Sequence, residues 1–92
     1  MKKFVYPAVL FYYEEEKQYT IALFDIEVFA EGQTVEEAVN TAQVYLDKYL
    51  ECAFSYGVDI PEPTPFGDMI DRYPKNLVVL VESKLDDNNR AV

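Results

Sequence analysis

Carboxylates are the side chains here whose types and spacing could do chemistry. Asp25, Glu27 and Glu31 are followed at once by Glu36 and Glu37. Acids that converge on one point can hold Mg²⁺ for phosphodiester cleavage, because that cation needs several hard oxygen ligands. The simpler reading is a solvated acidic rim beside a helix start. Alternation along a strand turns neighbouring side chains to opposite sides, and Glu36 and Glu37 have a local use described below. Glu14, Glu15 and Glu16 read as a solvated hairpin tip. The chain has no histidine, which removes the commonest general base, the usual zinc ligand and any Ser-His or Cys-His pair. Cys52 is expected to be a buried structural thiol, since only Lys48 stands at a helical step to lower its pKa. Gly32, Gly57 and Gly67 are isolated and form no phosphate-binding loop. These residues point away from an enzyme, and no metal or cofactor is expected.

Overall charge narrows the partners. The net charge is −9, with 17 acids against 8 bases. Nucleic-acid binding needs clustered Lys and Arg to displace counterions from phosphates, so direct nucleic-acid contact is not expected. The charge suits a basic protein partner, because complementary charge speeds encounter, but charge alone reads first as solubility. The 92 residues make one domain, and half of them are hydrophobic, too many for a disordered chain. No apolar run approaches the roughly 18 residues of a membrane span. Glutamates, not a small-residue cleavage site, follow the first apolar run, and there is one cysteine. The expected compartment is the cytoplasm.

The elements that must position these acids can be read from composition and period. Residues 3–13, KFVYPAVLFYY, are β-branched and aromatic, as in a strand, with Pro7 near a start or bulge. Residues 14–18 make a charged hairpin tip, and residues 19–24, YTIALF, return as a second strand. DIEVFAEGQ gives a short edge strand or bent connector ending near Gly32. Thr34 then caps a helix, and Glu37, three residues on, completes a capping box. Glu36 and Glu37 also face the positive end of the helix dipole. Val35, Ala38, Val39, Ala42, Leu46, Tyr49, Leu50 and Ala53 recur at helical steps and form one apolar stripe. Gly57 is placed to end the helix in left-handed geometry. Pro61 opens the stiff segment that follows, which cannot continue a helix. Residues 67–76 read as a loop or short turn, and residues 77–82, LVVLVE, as a strand covered on both faces. Residues 1–83 are then the domain and residues 84–92 a polar tail.

The order is β-β-β-α-β, an α+β fold with a small antiparallel sheet and one main helix on one face. The right-handed crossover rule places the last strand parallel to the first. One helix covers one face only. Val5, Val9 and Phe11 on the other face therefore need cover from a second copy or a partner, unless residues 60–76 fold across them. A homo-oligomer is expected on that ground. The eight tyrosines suit an interface as well as a core.

Taken in order, FVYPAVL, TIALFDI, EGQTVEEAVNTAQVYLDKYLE, GVDIPEPT and LVVLVES resemble the HicB antitoxin family over residues 3–84. Phe24-Asp25 stands where the family usually has Pro-Asp, the connector after it is about one residue short, and Gln33 replaces a usual Asp. The resemblance implies a partial RNase H-like domain that binds and blocks HicA, a small basic RNA-cleaving toxin, by occlusion. Many members continue into a DNA-binding domain. Nine residues follow Ser83 here, too few for one, so no operator binding is expected. Asp25, Glu27 and Glu31 are then expected to meet the toxin's positive surface. The competing readings are a divalent-metal nuclease using those acids with Glu36 or Glu37, and an orphan adaptor domain without a toxin.

Overall fold

The computed structural model describes residues 3–86, with the side chain of Asp86 left aside. The chain forms strands β1 (Lys3–Tyr13) and β2 (Gln18–Leu23), a 3-10 turn (Phe24–Ile26), and strand β3 (Val28–Gly32). The long helix α1 (Val35–Tyr56), the short helix α2 (Phe66–Arg72) and strand β4 (Leu77–Asp86) follow. The sheet order is β3-β2-β1-β4, and every neighbouring pair is antiparallel.

This corrects the expectation of a last strand parallel to the first. The register pairs Leu10 with Leu77 and runs through Ala8 and Val79 to Lys3 and Asp86. The crossover rule assumes that one helix makes the whole return. Here α1 starts beside Gly32, and its far end brings Phe54 onto Phe4, with ring centroids 5.7 Å apart. That traverse carries the chain from one end of the sheet to the other, about 33 Å at 1.5 Å per residue. The extended residues 58–65 and α2 then carry it back. The Tyr6 hydroxyl donates to the Pro61 carbonyl at 2.5 Å, and Asn76 Nδ2 donates to the Leu10 carbonyl at 3.0 Å. The second leg cancels the first, so β4 enters beside Leu10 and runs antiparallel to β1.

The main core lies between α1 and one face of the sheet. Tyr6, Ala8, Leu10, Ile21, Leu23, Ala30 and Val81 pack there with Ala38, Ala42, Leu46 and Leu50. Cys52 is exposed rather than buried, because position 52 falls off the stripe that buries Leu50 and Ala53. The Thr34 hydroxyl accepts from Glu37 N at 3.0 Å, while the Glu37 carboxylate accepts from Gln33 N at 3.2 Å, one residue earlier than an ideal capping box. Gly57 closes the helix at φ 64°, where a side chain is costly. Gly32 is required by close approach: a Cβ there would sit 2.4 Å from Ala38 N.

The second face is covered in part by the chain itself. Residues 66–72 are the helix α2, not loop, and its Met69 is buried together with Val9 and Ala22. The alternative in which residues 60–76 fold across that face is the one the structure adopts over Val9. β4 is longer than its apolar run, taking in Ser83 to Asp86. The reason lies on α1. Asp47 Oδ1 accepts from the Ser83 hydroxyl at 2.6 Å and from Lys84 N at 3.0 Å, and Gln43 Nε2 donates to the Glu82 carbonyl at 2.7 Å. Two helix side chains thus occupy polar groups of a strand that, among the described residues, no other strand pairs on its outer side, which blunts an aggregation-prone edge. Among the described residues, no helix is long and apolar enough to cross a membrane.

Candidate protein-binding face

The second face carries exposed aromatic and acidic side chains, and three local structures set its shape. The first is the β1–β2 hairpin. Lys17 takes a positive φ of 51°, and its N–H closes on the Glu14 carbonyl at 3.2 Å. That tight tip brings Glu16 next to Tyr13 and Gln18. The second is the 3-10 turn after β2. It ends with Glu27 in left-handed geometry at φ 54°, its N–H bonded to the Phe24 carbonyl. The chain bends there and starts β3 as the outer strand, with Phe29 opposite Ala22 and Glu31 opposite Thr20.

The third structure is the returning strap. Asp25 is half-buried, and both carboxylate oxygens are engaged by one residue of the strap. Thr64 N donates to Oδ2 at 2.8 Å and Thr64 Oγ1 to Oδ1 at 2.6 Å. Further on, the Tyr73 ring stacks on Phe24 with centroids 5.4 Å apart, and Phe11 meets both rings edge-on. Phe24 in turn braces Phe29 edge-on at 6.1 Å. The result is a fixed aromatic row across the face, with Phe29 at its open end and 53% exposed.

The structure distributes the sequence candidates unevenly. Glu27 and Glu31 are exposed and lie on or beside the edge strand, about 13 Å apart along it at ~3.3 Å per residue. Asp25 is turned to the strap. Val9 has no exposed surface, Phe11 is half-buried within the aromatic row, and Val5 is half-buried. Among the described residues, no three acids come together in a way that could hold a metal ion. Glu37 caps α1, away from the strap contact of Asp25.

Two concavities accompany this face. One, of about 190 Å³, lies between the first residues of β1 and the strap, lined by Val5, Tyr6, Pro61 and Pro63 among others. The Tyr6 hydroxyl beside it has its pKa pushed up to about 12, first by burial and then by the nearby Tyr49, Asp25 and Glu62. It therefore stays a neutral donor to Pro61 across ordinary pH. The other, about 450 Å³ and more open, is lined by Tyr13, Glu16, Gln18, Thr20, Phe29 and Glu31. No basic residue lines it.

Nothing in the residues marked Glu16 as part of a site, because it reads as one of three tip glutamates. Gln18, Tyr13 and Phe29 were equally silent, since only strand pairing sets them around one groove.

Solved structures resemble this chain, among them two of the antitoxin HicB. It superimposes on the N-terminal domain of the antitoxin HicB of Burkholderia pseudomallei with a TM-score of 0.75 at 17% identity, covering 85% of this chain and 95% of that one. The fold is that of the HicB N-terminal domain. Against the longer Burkholderia pseudomallei HicB structure the TM-score is 0.69 at 20% identity, covering 90% of this chain and 62% of that one. The chain thus spans less than two thirds of that HicB protein, and the part it matches includes the N-terminal fold. No family model matches the sequence, and no curated protein does.

Proposed function

We propose that this chain is a HicB-type antitoxin module that works in the cytoplasm and neutralises a small basic, HicA-type RNA-cleaving toxin by occlusion, with no chemistry of its own. The observation that carries this reading is the shared HicB fold, whose second face here presents exposed aromatic rings among exposed acids on a chain of net charge −9. Aromatic anchors with an acidic rim suit a basic protein partner. Glu27 and Glu31 are the exposed acids proposed for that contact, while Asp25 supports it by holding the strap. Self-association is proposed through the uncovered part of the same face and the open half of the β4 edge, where Leu77 and Leu80 are each more than half exposed. The nuclease reading is less favoured, because Asp25 is spent on Thr64 and Glu37 on the helix cap.

The test is to express this chain together with the small basic protein encoded beside it. A one-to-one complex that suppresses RNA cleavage, and that weakens as salt rises, is the expected result. Absence of any such complex, with only self-association, would leave the orphan adaptor. Glu27→Lys and Glu31→Lys should weaken the complex and flatten its salt dependence. Unchanged binding would remove those acids from the interface.

A further inference from the structure

The groove between the hairpin tip and β3 combines carboxylates with exposed aromatic rings. Two carboxylates, Glu16 and Glu31, share it with the exposed rings of Tyr13 and Phe29. Gln18 Nε2 bonds to Glu31 Oε2, which fixes that carboxylate and leaves Oε1 toward a second donor. Among the described residues, the ion pair found is between Lys3 and Glu82, so neither groove carboxylate is neutralised by one. The Phe29 wall is rigid, since Phe24 braces it and Tyr73 stacks behind Phe24.

We propose that this groove receives an arginine side chain of the basic partner. The assignment rests on the reading of the chain as a binder of a basic protein and names the place of contact. A guanidinium is flat, stacks on aromatic faces and offers paired N–H donors to a carboxylate. Glu31 Oε1 and Glu16 supply the acceptors, and Tyr13 and Phe29 the stacking surfaces. Lysine lacks the planar fork and gains less from such walls. At about 450 Å³ the groove holds one long side chain with water around it. Tyr73 acts as a positioning residue, through Phe24, and does not line the groove.

The groove can be tested before any partner is known. The ¹⁵N-labelled chain is titrated at low salt with N-acetyl-arginine amide, and separately with the lysine and the neutral citrulline analogues. Saturable shifts at the amides of Tyr13, Gln18, Thr20, Phe29 and Glu31, at least several-fold stronger for arginine than lysine and absent for citrulline, are expected. They should vanish in the Glu16→Gln/Glu31→Gln double variant and fall several-fold in Phe29→Ala, with the remaining spectrum intact. Shifts spread over Glu14, Glu36 and Glu37 alike, or equal for citrulline, overturn the proposal. In complex with a basic toxin, the same double variant should bind at least tenfold more weakly. Toxin bound as tightly by the variant as by the parent chain sinks the groove but leaves the antitoxin reading standing. If no toxin binds the parent chain, the antitoxin reading fails while the arginine titration still decides the groove.

Discussion

Under α1, the sheet presents Tyr6, Ala8, Leu10, Ile21, Leu23 and Val81 to a helix stripe of Ala38, Ala42, Leu46 and Leu50, all of them buried. On the opposite face, among the described residues, Pro7, Val9, Ala22 and Met69 reach that state. The rest is an aromatic row held by edge-on and stacked ring contacts, beside an Asp25 carboxylate that takes two hydrogen bonds from Thr64 of the strap. The difference follows from the covering elements. A helix of 22 residues can shield the full length of β1, whereas α2 has 7 and shields its middle. Aliphatic side chains without polar atoms suit a closed core. Aromatic ones keep packing energy while partly exposed, which is what an interface residue must do in both the free and bound states. On the proposed reading, stability and recognition fall to opposite faces of one sheet.

Mutations on the two faces should therefore separate folding from binding. The largest effect is expected from Leu46→Ala, which opens a cavity in the closed core. It should cost about 2–5 kcal/mol in urea unfolding, with partner affinity of the folded fraction unchanged. Comparable loss of affinity without loss of stability would invert the assignment. Asp25→Ala should cost less, about 1–3 kcal/mol, because it strands the Thr64 donors but leaves the main core intact. Its signature is local: amide exchange should accelerate at Met69 and Tyr73 more than at Leu46. Uniform acceleration would mean that the strap and core unfold as one unit. Thr34→Ala should cost about 1 kcal/mol by removing the side-chain acceptor of the α1 cap, measured by the same urea curves, with arginine-amide binding unaffected.

The smallest effect at neutral pH belongs to Tyr6. Its pKa rises from 10.0 when unfolded to about 12 when folded. The folded chain therefore holds the proton over a range where the unfolded chain has lost it. The stability this represents is complete below pH 10 and is lost as pH climbs toward 12. Tyr6→Phe should flatten that part of the stability–pH curve. An unchanged slope would place the alkaline sensitivity in other groups.

Much of this arrangement was legible in the residues, and the illegible parts share a cause. α1 is written in contacts between near neighbours: Thr34 with Glu37, the three- and four-residue apolar steps, and Gly57 at φ 64°. The strands are written in β-branched and aromatic runs. By contrast, the direction of β4 depends on how far α1 and the strap each travel, and no local pattern records the difference between two path lengths. The Asp25–Thr64 bond spans 39 residues, and Gln43 reaches Glu82 across the same separation. Asp25 looked like a free surface acid because its partner is a threonine inside a proline-rich stretch with no charge to advertise it.

The amino-acid sequence by itself determined the types of β1 to β4 and of α1, the apolar stripe on α1, the net acidity, and the resemblance to HicB. Those properties depend on composition and on steps of two to four residues, which survive without knowledge of the fold. Tertiary structure alone decided that β4 runs antiparallel to β1, that residues 66–72 cover Val9, and that Glu16 and Glu31 share a groove with Tyr13 and Phe29. Each of these depends on strand register and on the path of the strap. Register is a property of two segments together, so neither segment's sequence contains it.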